Sequence, residues 1–130
     1  MKFKYKKYGP KIIRPVIPVE LIYKNLTVPY EALVDSGADF AIFDLQIADI
    51  LGINIENGRR DFVSGITGIK EPIYFHEIII KVGGWPHKVD VAFGKLGNFG
   101  HGVVGQKGFF DLFTVKFDYS KEEVEIKTQR

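Results

Sequence analysis

The sequence predicts a single, mostly β domain that contains one or two short helices. Scattered glycines (14) and prolines (6) separate short apolar segments, and no linker, repeat or low-complexity tract interrupts them. Such spacing is typical of a meandering β domain. Several segments alternate apolar and polar residues with period two, as in "VEIK" and "TVKFD". A chain of 130 residues, 45% hydrophobic and 26% charged, is long enough for one real core and too hydrophobic to be disordered.

The apolar segments predict nine strands along the chain. These are Ile12–Tyr23, Thr27–Val34, Ala41–Phe43, Arg60–Ser64, Ile69–Val82, His87–Phe93, Gly102–Val104, Phe113–Tyr119 and Glu122–Lys127. Pro15 and Pro18 lie inside the first segment, and proline has no N–H to donate to a sheet. We therefore expect that segment to be an edge strand or to be broken there. The turn-like "YSKE" between the last two segments predicts a terminal hairpin.

Two further stretches have helical patterns. In "FDLQIADILGI", Asp44 can cap the first turn and Gly52 can end the helix. One face of this short amphipathic helix would carry Leu45, Ala48 and Leu51, with Ile47 and Ile50 beside them. The second stretch is Gly105 to Phe113, where Phe109, Leu112 and Phe113 share a face. Gly108 lies inside it and weakens the helical pattern.

Charge divides the chain into a basic start and a slightly acidic remainder. The formal net charge is +2, but five lysines and no acids lie in residues 1–11, which leaves 13 bases and 16 acids elsewhere. We expect residues 1–11 to be a basic N-terminal segment, solvated and flexible, ahead of a single domain at 12–130. A basic end can touch nucleic acid or a membrane surface. Without interleaved aromatic platforms beyond it, we do not expect nucleic-acid binding.

Several classes of chemistry are excluded by residues that the chain lacks. Zero cysteines remove disulfides, thiol nucleophiles and cysteine-based metal sites. His76, His87 and His101 have no neighbouring zinc pattern, so we expect neither a metal nor another cofactor. Ser36 is not in a Gly-x-Ser-x-Gly elbow, which argues against a serine hydrolase. No apolar run has membrane-spanning length, and "MKFKYKKYGPK" lacks the apolar core of a signal peptide; we expect a cytoplasmic protein.

The stretch "VDSGADF" places a carboxylate where a buried strand is about to turn. Asp35 follows the apolar run "ALV", so burial is its expected environment, and a buried lone carboxylate is costly unless it is hydrogen-bonded or protonated. Ser36 offers a hydroxyl that donates and accepts, Gly37 permits a tight turn, and Ala38 leaves room. By itself Asp-Ser-Gly is also a common loop tripeptide, so a purely structural turn stays open.

The wider context gives this tripeptide a more specific interpretation. "LVDSGA" resembles the active-site signature of the retropepsin-like aspartic proteases, in which an apolar pair precedes Asp-Ser/Thr-Gly-Ala. About thirty residues on, "DFVSGITGIKEPIYF" has Gly65 and Gly68 between two strand-like runs, which predicts a hairpin. In the resembled family this is the flap that closes over bound peptide, although any surface hairpin would have the same pattern.

A third segment agrees in order and spacing. "HGVVGQKGFFDLFTVKFD", from His101 to Asp118, is similar to the family's second hallmark, two apolar residues and a glycine followed by a short helix and a strand. Single-domain bacterial and archaeal members carry a very similar Gly-x-x-Gly-Phe-Phe-Asp-x-Phe. The resemblance covers roughly Thr27 to Asp118 and implies the acid protease fold, a closed, orthogonal β-barrel.

One position departs from the resembled pattern. The family often has arginine directly after the glycine of the second hallmark, where it can pair with the acid that follows the signature alanine. Here that acid is Asp39, but the matching residue is Gln106. Gln106 can still hydrogen-bond Asp39 without the charge.

The resemblance implies an aspartic endopeptidase that is completed by a second copy of the chain. No second Asp-Ser/Thr-Gly occurs in the sequence, and a water held between two carboxylates needs two. In a C2 homodimer Asp35 would meet its own copy, and the two carboxylates would share a proton. Asp35, Ser36 and Gly37 would then be catalytic. Contacts to an extended peptide or protein substrate are expected from Ala38, Asp39, Phe40, Gly65, Ile66, Thr67, Gly68, Val103 and Val104.

Two alternatives to a protease stay open. One is a dimeric, protease-like peptide-binding module with little or no turnover, and the other is a purely structural dimerisation domain. The presence of Asp35, Ser36, Gly37 and the hairpin glycines favours the enzyme.

Overall fold

The computed structural model describes residues 1–97 and 100–129, and it confirms the mostly β class. Residues 98, 99 and 130, which the predicted domain includes, lie outside this described part. The strands are β1 (Lys2–Lys4), β2 (Lys6–Gly9), β3 (Ile12–Arg14), β4 (Val16–Tyr23), β5 (Leu26–Val34), β6 (Ile42–Asp44), β7 (Arg59–Ser64), β8 (Lys70–Val82), β9 (Trp85–Gly94), β10 (Gly102–Val104), β11 (Phe113–Asp118) and β12 (Glu123–Thr128). The helix α1 spans Leu45–Ile50, a 3₁₀ turn spans Ile55–Asn57, and a π-type turn spans Gln106–Phe110.

The main sheet closes on itself. Its seven strands follow the order β4-β5-β10-β6-β9-β8-β7, and β4 also pairs with β8 through residues 20–22 and 79–81. This last pairing joins six of the strands into a ring. Side chains alternate across each strand, so that Val19 and Leu21 of β4 are buried while Pro18 and Glu20 are exposed. The inward side chains of the ring form one main hydrophobic core.

The predicted strand Ile12–Tyr23 is broken at Pro15, which is one of the two outcomes expected from its prolines. β3 and β4 are separate strands with Pro15 between them, and the Pro15 carbonyl accepts a hydrogen bond of 2.9 Å from the Val34 N–H. Pro18 lies in β4 ahead of residues 20–22, which pair with β8. The missing N–H of Pro18 therefore does not interrupt the pairing that closes the ring.

The short helix α1 forms as its sequence predicts. The Asp44 side chain accepts a hydrogen bond of 3.0 Å from the Gln46 N–H and so caps the first turn. Ile47 and Ala48 are buried, and Gly52 ends the helix with a φ of 75°, a left-handed conformation that suits glycine.

The second predicted helix is shorter and less regular than expected. Only Gln106–Phe110 forms a helical turn, and inside it Lys107 (ψ 128°) and Gly108 (φ 88°) leave helical geometry. A Cβ at residue 108 would lie 2.0 Å from Val89 Cγ2, so this glycine permits the turn to approach β9 closely. Phe113, which belonged both to this helical stretch and to the strand predicted after it, begins β11 as the strand prediction had it.

The prediction that residues 1–11 form a flexible end is wrong. β1 pairs antiparallel with β12, which is also paired with β11, and β2 forms a hairpin with β3. The side chain of Met1 packs against the main core, and its ammonium group donates a hydrogen bond of 2.8 Å to the Ile126 carbonyl. Lysine-rich composition suggested solvation, but alternation leaves Phe3 and Tyr5 free to pack inward while Lys2 and Lys4 face solvent. Among the described residues, no helix is long and apolar enough to cross a membrane.

Candidate active site

Asp35 stands at the point where β5 leaves the ring. β10 lies between β5 and β6, parallel to β5 with Val104 opposite Val34, and antiparallel to β6 with Val103 opposite Ile42. The Asp35 N–H donates a hydrogen bond of 3.0 Å to the Val104 carbonyl. The loop of residues 35–40 is therefore anchored to a strand almost seventy positions further along the chain.

A glycine makes this arrangement of three strands sterically possible. A Cβ at Gly102 would lie 2.2 Å from Phe43 Cδ1 and 2.9 Å from the Ile42 carbonyl oxygen. Real Cβ atoms do not approach other atoms so closely, so only glycine lets β10 enter between β5 and β6.

The Asp35 carboxylate is only half-buried within the single chain, contrary to the expected burial. Its Oδ1 accepts a hydrogen bond of 2.9 Å from the Gly37 N–H, and its backbone carbonyl accepts one of 3.2 Å from the Ala38 N–H. This is the tight turn that Asp-Ser-Gly predicts. Ser36, Gly37 and Asp39 are exposed, and Ala38 and Phe40 are half-buried. One side of the turn therefore remains open to another molecule.

A second set of hydrogen bonds holds the loop from the side of the π-type turn. The Gln106 N–H donates to the Ala38 carbonyl at 2.8 Å, and the Lys107 N–H donates to the Asp39 carbonyl at 3.0 Å. A Cβ at Gly105 would lie 2.3 Å from the Ala38 carbonyl oxygen, so this contact also requires glycine. We call residues 105–107 the clamp, because they bind the backbone of the loop at successive positions.

The side chain of Gln106 has a different partner from the one expected. Its Nε2 donates a hydrogen bond to the Ser36 carbonyl, in place of the predicted bond to the Asp39 carboxylate. The reason is geometric. Because the backbone N–H groups of the clamp bond the carbonyls of Ala38 and Asp39, the Gln106 side chain extends back along the loop toward Ser36.

The hairpin of β7 and β8 carries the other predicted site residues. Residues 59–64 pair with residues 70–75, and the tip closes with a hydrogen bond of 3.0 Å from the Gly68 N–H to the Gly65 carbonyl. Gly68 has a φ of 78°, which suits glycine in a tight turn. Ile66 at the tip is fully exposed, with a relative accessibility of 108%. The glycine-rich hairpin predicted here therefore forms, with an apolar side chain at its tip.

A broad cavity of about 740 Å³ adjoins the loop and the clamp. Asp39, Phe40 and Gln106 line it, together with residues that the sequence did not single out. The rings of Phe40 and Phe75 meet edge to face, with centroids 4.9 Å apart. The Arg59 guanidinium carbon lies 4.4 Å from the Phe75 ring centroid, close enough for a cation–π contact. Alternation along β8 was the one available signal for Phe75, and nothing in the sequence indicated Arg59.

Two of the predicted pocket residues face opposite ways. Val104 is 1% exposed and packs in the main core, so it cannot line a groove, whereas Val103 is half-buried. Successive side chains on a strand point to opposite faces, and the Asp35 N–H pairing fixes which face each takes. A small second cluster of Ile73, Phe75 and Ala92 supports three half-buried side chains beneath the hairpin. These are Phe40, Ile42 and Val63.

The histidines bind backbone carbonyls. His76 Nε2 lies 2.8 Å from the Ile55 carbonyl oxygen, and His87 Nε2 lies 3.0 Å from the Gly108 carbonyl oxygen. Burial lowers the pKa of His87, and the hydrogen bond to Gly108 opposes this effect. Within residues 1–97 and 100–129, no group of three or more His, Asp or Glu side chains is placed to hold a metal ion.

Comparison with protein-family models gives no match for this sequence, and neither does comparison with curated proteins. Solved structures do match. A retropepsin-like aspartic protease from Rickettsia conorii is 16% identical, with a TM-score of 0.70 over 98% of this chain and 97% of that one. The retroviral protease-like domain of Ddi1 from Leishmania major is 16% identical, with a TM-score of 0.64 over 90% of each chain. The EIAV protease, in complex with the inhibitor HBY-793, is 19% identical, with a TM-score of 0.56 over 77% of this chain and 88% of that one.

All three structures match this chain over most of its length, with TM-scores of 0.56 to 0.70. At sequence identities below one fifth, such likeness is evidence of shared fold. This chain therefore has the retropepsin-like fold.

Proposed function

We propose that this protein is an aspartic endopeptidase that hydrolyses peptide bonds as a C2 homodimer. The observation that carries the proposal is the setting of Asp35. Its carboxylate lies in an Asp-Ser-Gly turn and accepts a hydrogen bond from the Gly37 N–H, while β10 and the clamp hold the backbone of the loop. The residue stays half-open to solvent in a retropepsin-like fold.

The second carboxylate would come from another copy of the chain. A C2 axis beside residues 35–37 brings Asp35 next to Asp35 of the partner subunit, and two carboxylates so close share one proton. Ser36, which is exposed in the single chain, would then bond the partner's loop.

The reaction follows from the shared proton. The ionised Asp35 accepts a proton from a water held between the two carboxylates, and this water attacks the scissile carbonyl carbon. The protonated Asp35 of the partner subunit donates a hydrogen bond to the developing oxyanion. The tetrahedral intermediate then collapses as a proton passes to the leaving amine, giving a carboxylic acid and an amine. No covalent intermediate forms.

The substrate would be an extended peptide that lies between the loop and the hairpin. Gly37 permits close backbone approach from an extended chain, in the manner of strand addition. The hairpin would act as a flap, with Ile66 and Thr67 covering the peptide and excluding water. Phe40, which lines the cavity beside the loop, and Val63, which lies on the hairpin, are half-buried apolar side chains, which favours apolar substrate residues beside the cut.

Replacing Asp35 by asparagine tests the proposal directly. We expect Asp35→Asn to reduce peptide hydrolysis to background, because the amide can neither accept the proton of the water nor share one. The dimer measured by sedimentation should persist, since asparagine has the same size and can accept the Gly37 N–H. Wild-type protein that cleaves nothing from a broad peptide library between acidic and neutral pH would contradict the proposal. That result would favour the alternative of a dimeric peptide-binding module with little turnover.

A further inference from the structure

One peptide unit of the loop connects Gln106 to the Asp35 carboxylate. The carbonyl of Ser36 accepts a hydrogen bond from Gln106 Nε2, and the N–H of the same peptide group, which belongs to Gly37, donates 2.9 Å to Asp35 Oδ1. The carbonyl and the N–H of a peptide are two ends of one conjugated group. A donor on the carbonyl therefore polarises the N–H and makes it a stronger donor.

We propose that Gln106 is a positioning residue that acts on Asp35 through the Ser36–Gly37 peptide. Its side chain fixes the orientation of that peptide plane and strengthens the hydrogen bond to the ionised carboxylate. A hydrogen bond to the charged form favours that form, so Gln106 stabilises the carboxylate that accepts the proton of the water. A neutral amide does this here without adding a charge to the site.

The backbone contacts of the clamp make this role separable from simple loop anchoring. The N–H groups of Gln106 and Lys107 hold the carbonyls of Ala38 and Asp39 at 2.8 and 3.0 Å. These bonds come from the backbone, so they survive the exchange of the Gln106 side chain for Met, Glu or Arg. A change in the Gln106 side chain therefore removes the contact with the Ser36 carbonyl and leaves the rest of the clamp in place.

Other charged groups around Asp35 stay constant in such variants. Asp39 lies on the same loop, Lys107 lies on the clamp, and Arg14 is the last residue of β3, where its guanidinium carbon is 4.8 Å from the Tyr8 ring centroid. β10 has no charged residue, and neither do residues 65–68 of the hairpin tip. In the dimer Asp35 of the partner subunit is added. Differences among the variants therefore report residue 106 alone.

The test compares kcat and KM against pH for a cleaved peptide in four forms of the full chain. Gln106→Met keeps the length but donates nothing, and we expect kcat to fall about tenfold with little change in KM. The acid limb of its pH profile, the range over which kcat falls as the pH is lowered, should move to higher pH. Gln106→Glu adds a negative charge and should move the limb further, whereas Gln106→Arg donates with a positive charge and should move it below that of the wild type.

A matched control is present on the other side of the same turn. Gln129 Nε2 donates to the carbonyls of Phe110 and Phe113 at 3.1 and 2.9 Å. Gln129→Met removes the same kind of bond without any link to Asp35. We expect it to lower Tm but to leave the acid limb unchanged. The inference is overturned if Gln106→Met keeps the wild-type limb, or if Gln129→Met shifts it equally.

The kinetic measurement rests on the proposed function. A second measurement, by NMR, does not require the protein to cleave a peptide. As Asp35 ionises, the amide proton of Gly37 should move to lower field in NMR spectra. We expect this change in chemical shift to be smaller in Gln106→Met and unchanged in Gln129→Met. If wild-type protein cleaves no peptide, the proposed function fails while the Gly37 resonance still decides the inference. An equal change in chemical shift in both variants would refute the role of Gln106.

Discussion

The loop of residues 35–40 and the tip of the hairpin are both short turns rich in glycine, yet they are held very differently. The loop is bound by elements far along the chain. Its Asp35 N–H donates to the Val104 carbonyl, and two of its carbonyls accept hydrogen bonds from the N–H groups of Gln106 and Lys107. The tip is closed by its own turn, with Gly68 bonded to Gly65 and Ile66 fully exposed. Catalytic groups must be held in place, whereas a cover over substrate must move. The difference matches the two roles proposed for these turns.

Replacing a glycine by alanine should destabilise the protein at the clamp but have little effect at the hairpin tip. The loss at the clamp is the largest effect that we predict. Gly105→Ala places a Cβ 2.3 Å from the Ala38 carbonyl oxygen. The clamp or the loop must shift, which we expect to cost about 1–3 kcal/mol of unfolding free energy and about a hundredfold in hydrolysis. Denaturant unfolding and peptide cleavage measure the two losses.

Gly65→Ala is the matched control in the hairpin. A Cβ at residue 65 has nothing within 4 Å, so we expect a change below about 0.5 kcal/mol. Equal destabilisation by Gly65→Ala and Gly105→Ala would show that the two turns are held alike, and would contradict the comparison.

The hairpin tip should affect substrate binding without affecting stability. Ile66→Ser removes an apolar side chain that is fully exposed in the free chain, so Tm should not change. If Ile66 covers bound peptide, the lost burial should raise KM about tenfold. Ile50→Ser is the control, because Ile50 is 58% exposed on α1 and belongs to no part of the proposed site. A rise in KM in both variants would indicate a general effect of surface polarity.

The smallest predicted effect is a pH dependence of the folding stability, which arises at the π-type turn next to the loop. His87 bonds the Gly108 carbonyl within the π-type turn, and burial lowers its pKa. The folded state therefore favours neutral His87. Its stabilising contribution is present above the ordinary pKa of about 6.5 and is lost as the pH falls from there toward the lower pKa of the folded state. The hairpin tip, residues 65–68, has no titratable side chain.

Thermal unfolding of the wild type and of His87→Gln between pH 8 and pH 5 tests this dependence. The wild type should lose Tm as the pH falls below about 6.5, and the variant should lose less. If both lose Tm equally across this range, His87 is not responsible for the acid sensitivity.

Local sequence patterns determined much of this molecule. Period-two alternation located the strands of the ring, and Asp44 with its following apolar face determined α1, because caps and alternation act within a few residues. The Asp-Ser-Gly turn and the glycine-rich hairpin also form where the sequence predicts them. Each of these features depends on residues that are close in sequence, so a short stretch of the sequence is enough to predict it.

Only the tertiary structure decided which distant segments meet. β1 joins β12 more than a hundred positions away, although its lysines suggested a flexible end. Gln106 reaches the Ser36 carbonyl because the clamp approaches the loop along its backbone. Val104 turns into the core because its pairing with Val34 fixes its face. Pairing across a closed ring depends on the whole set of strands, and no local pattern encodes it.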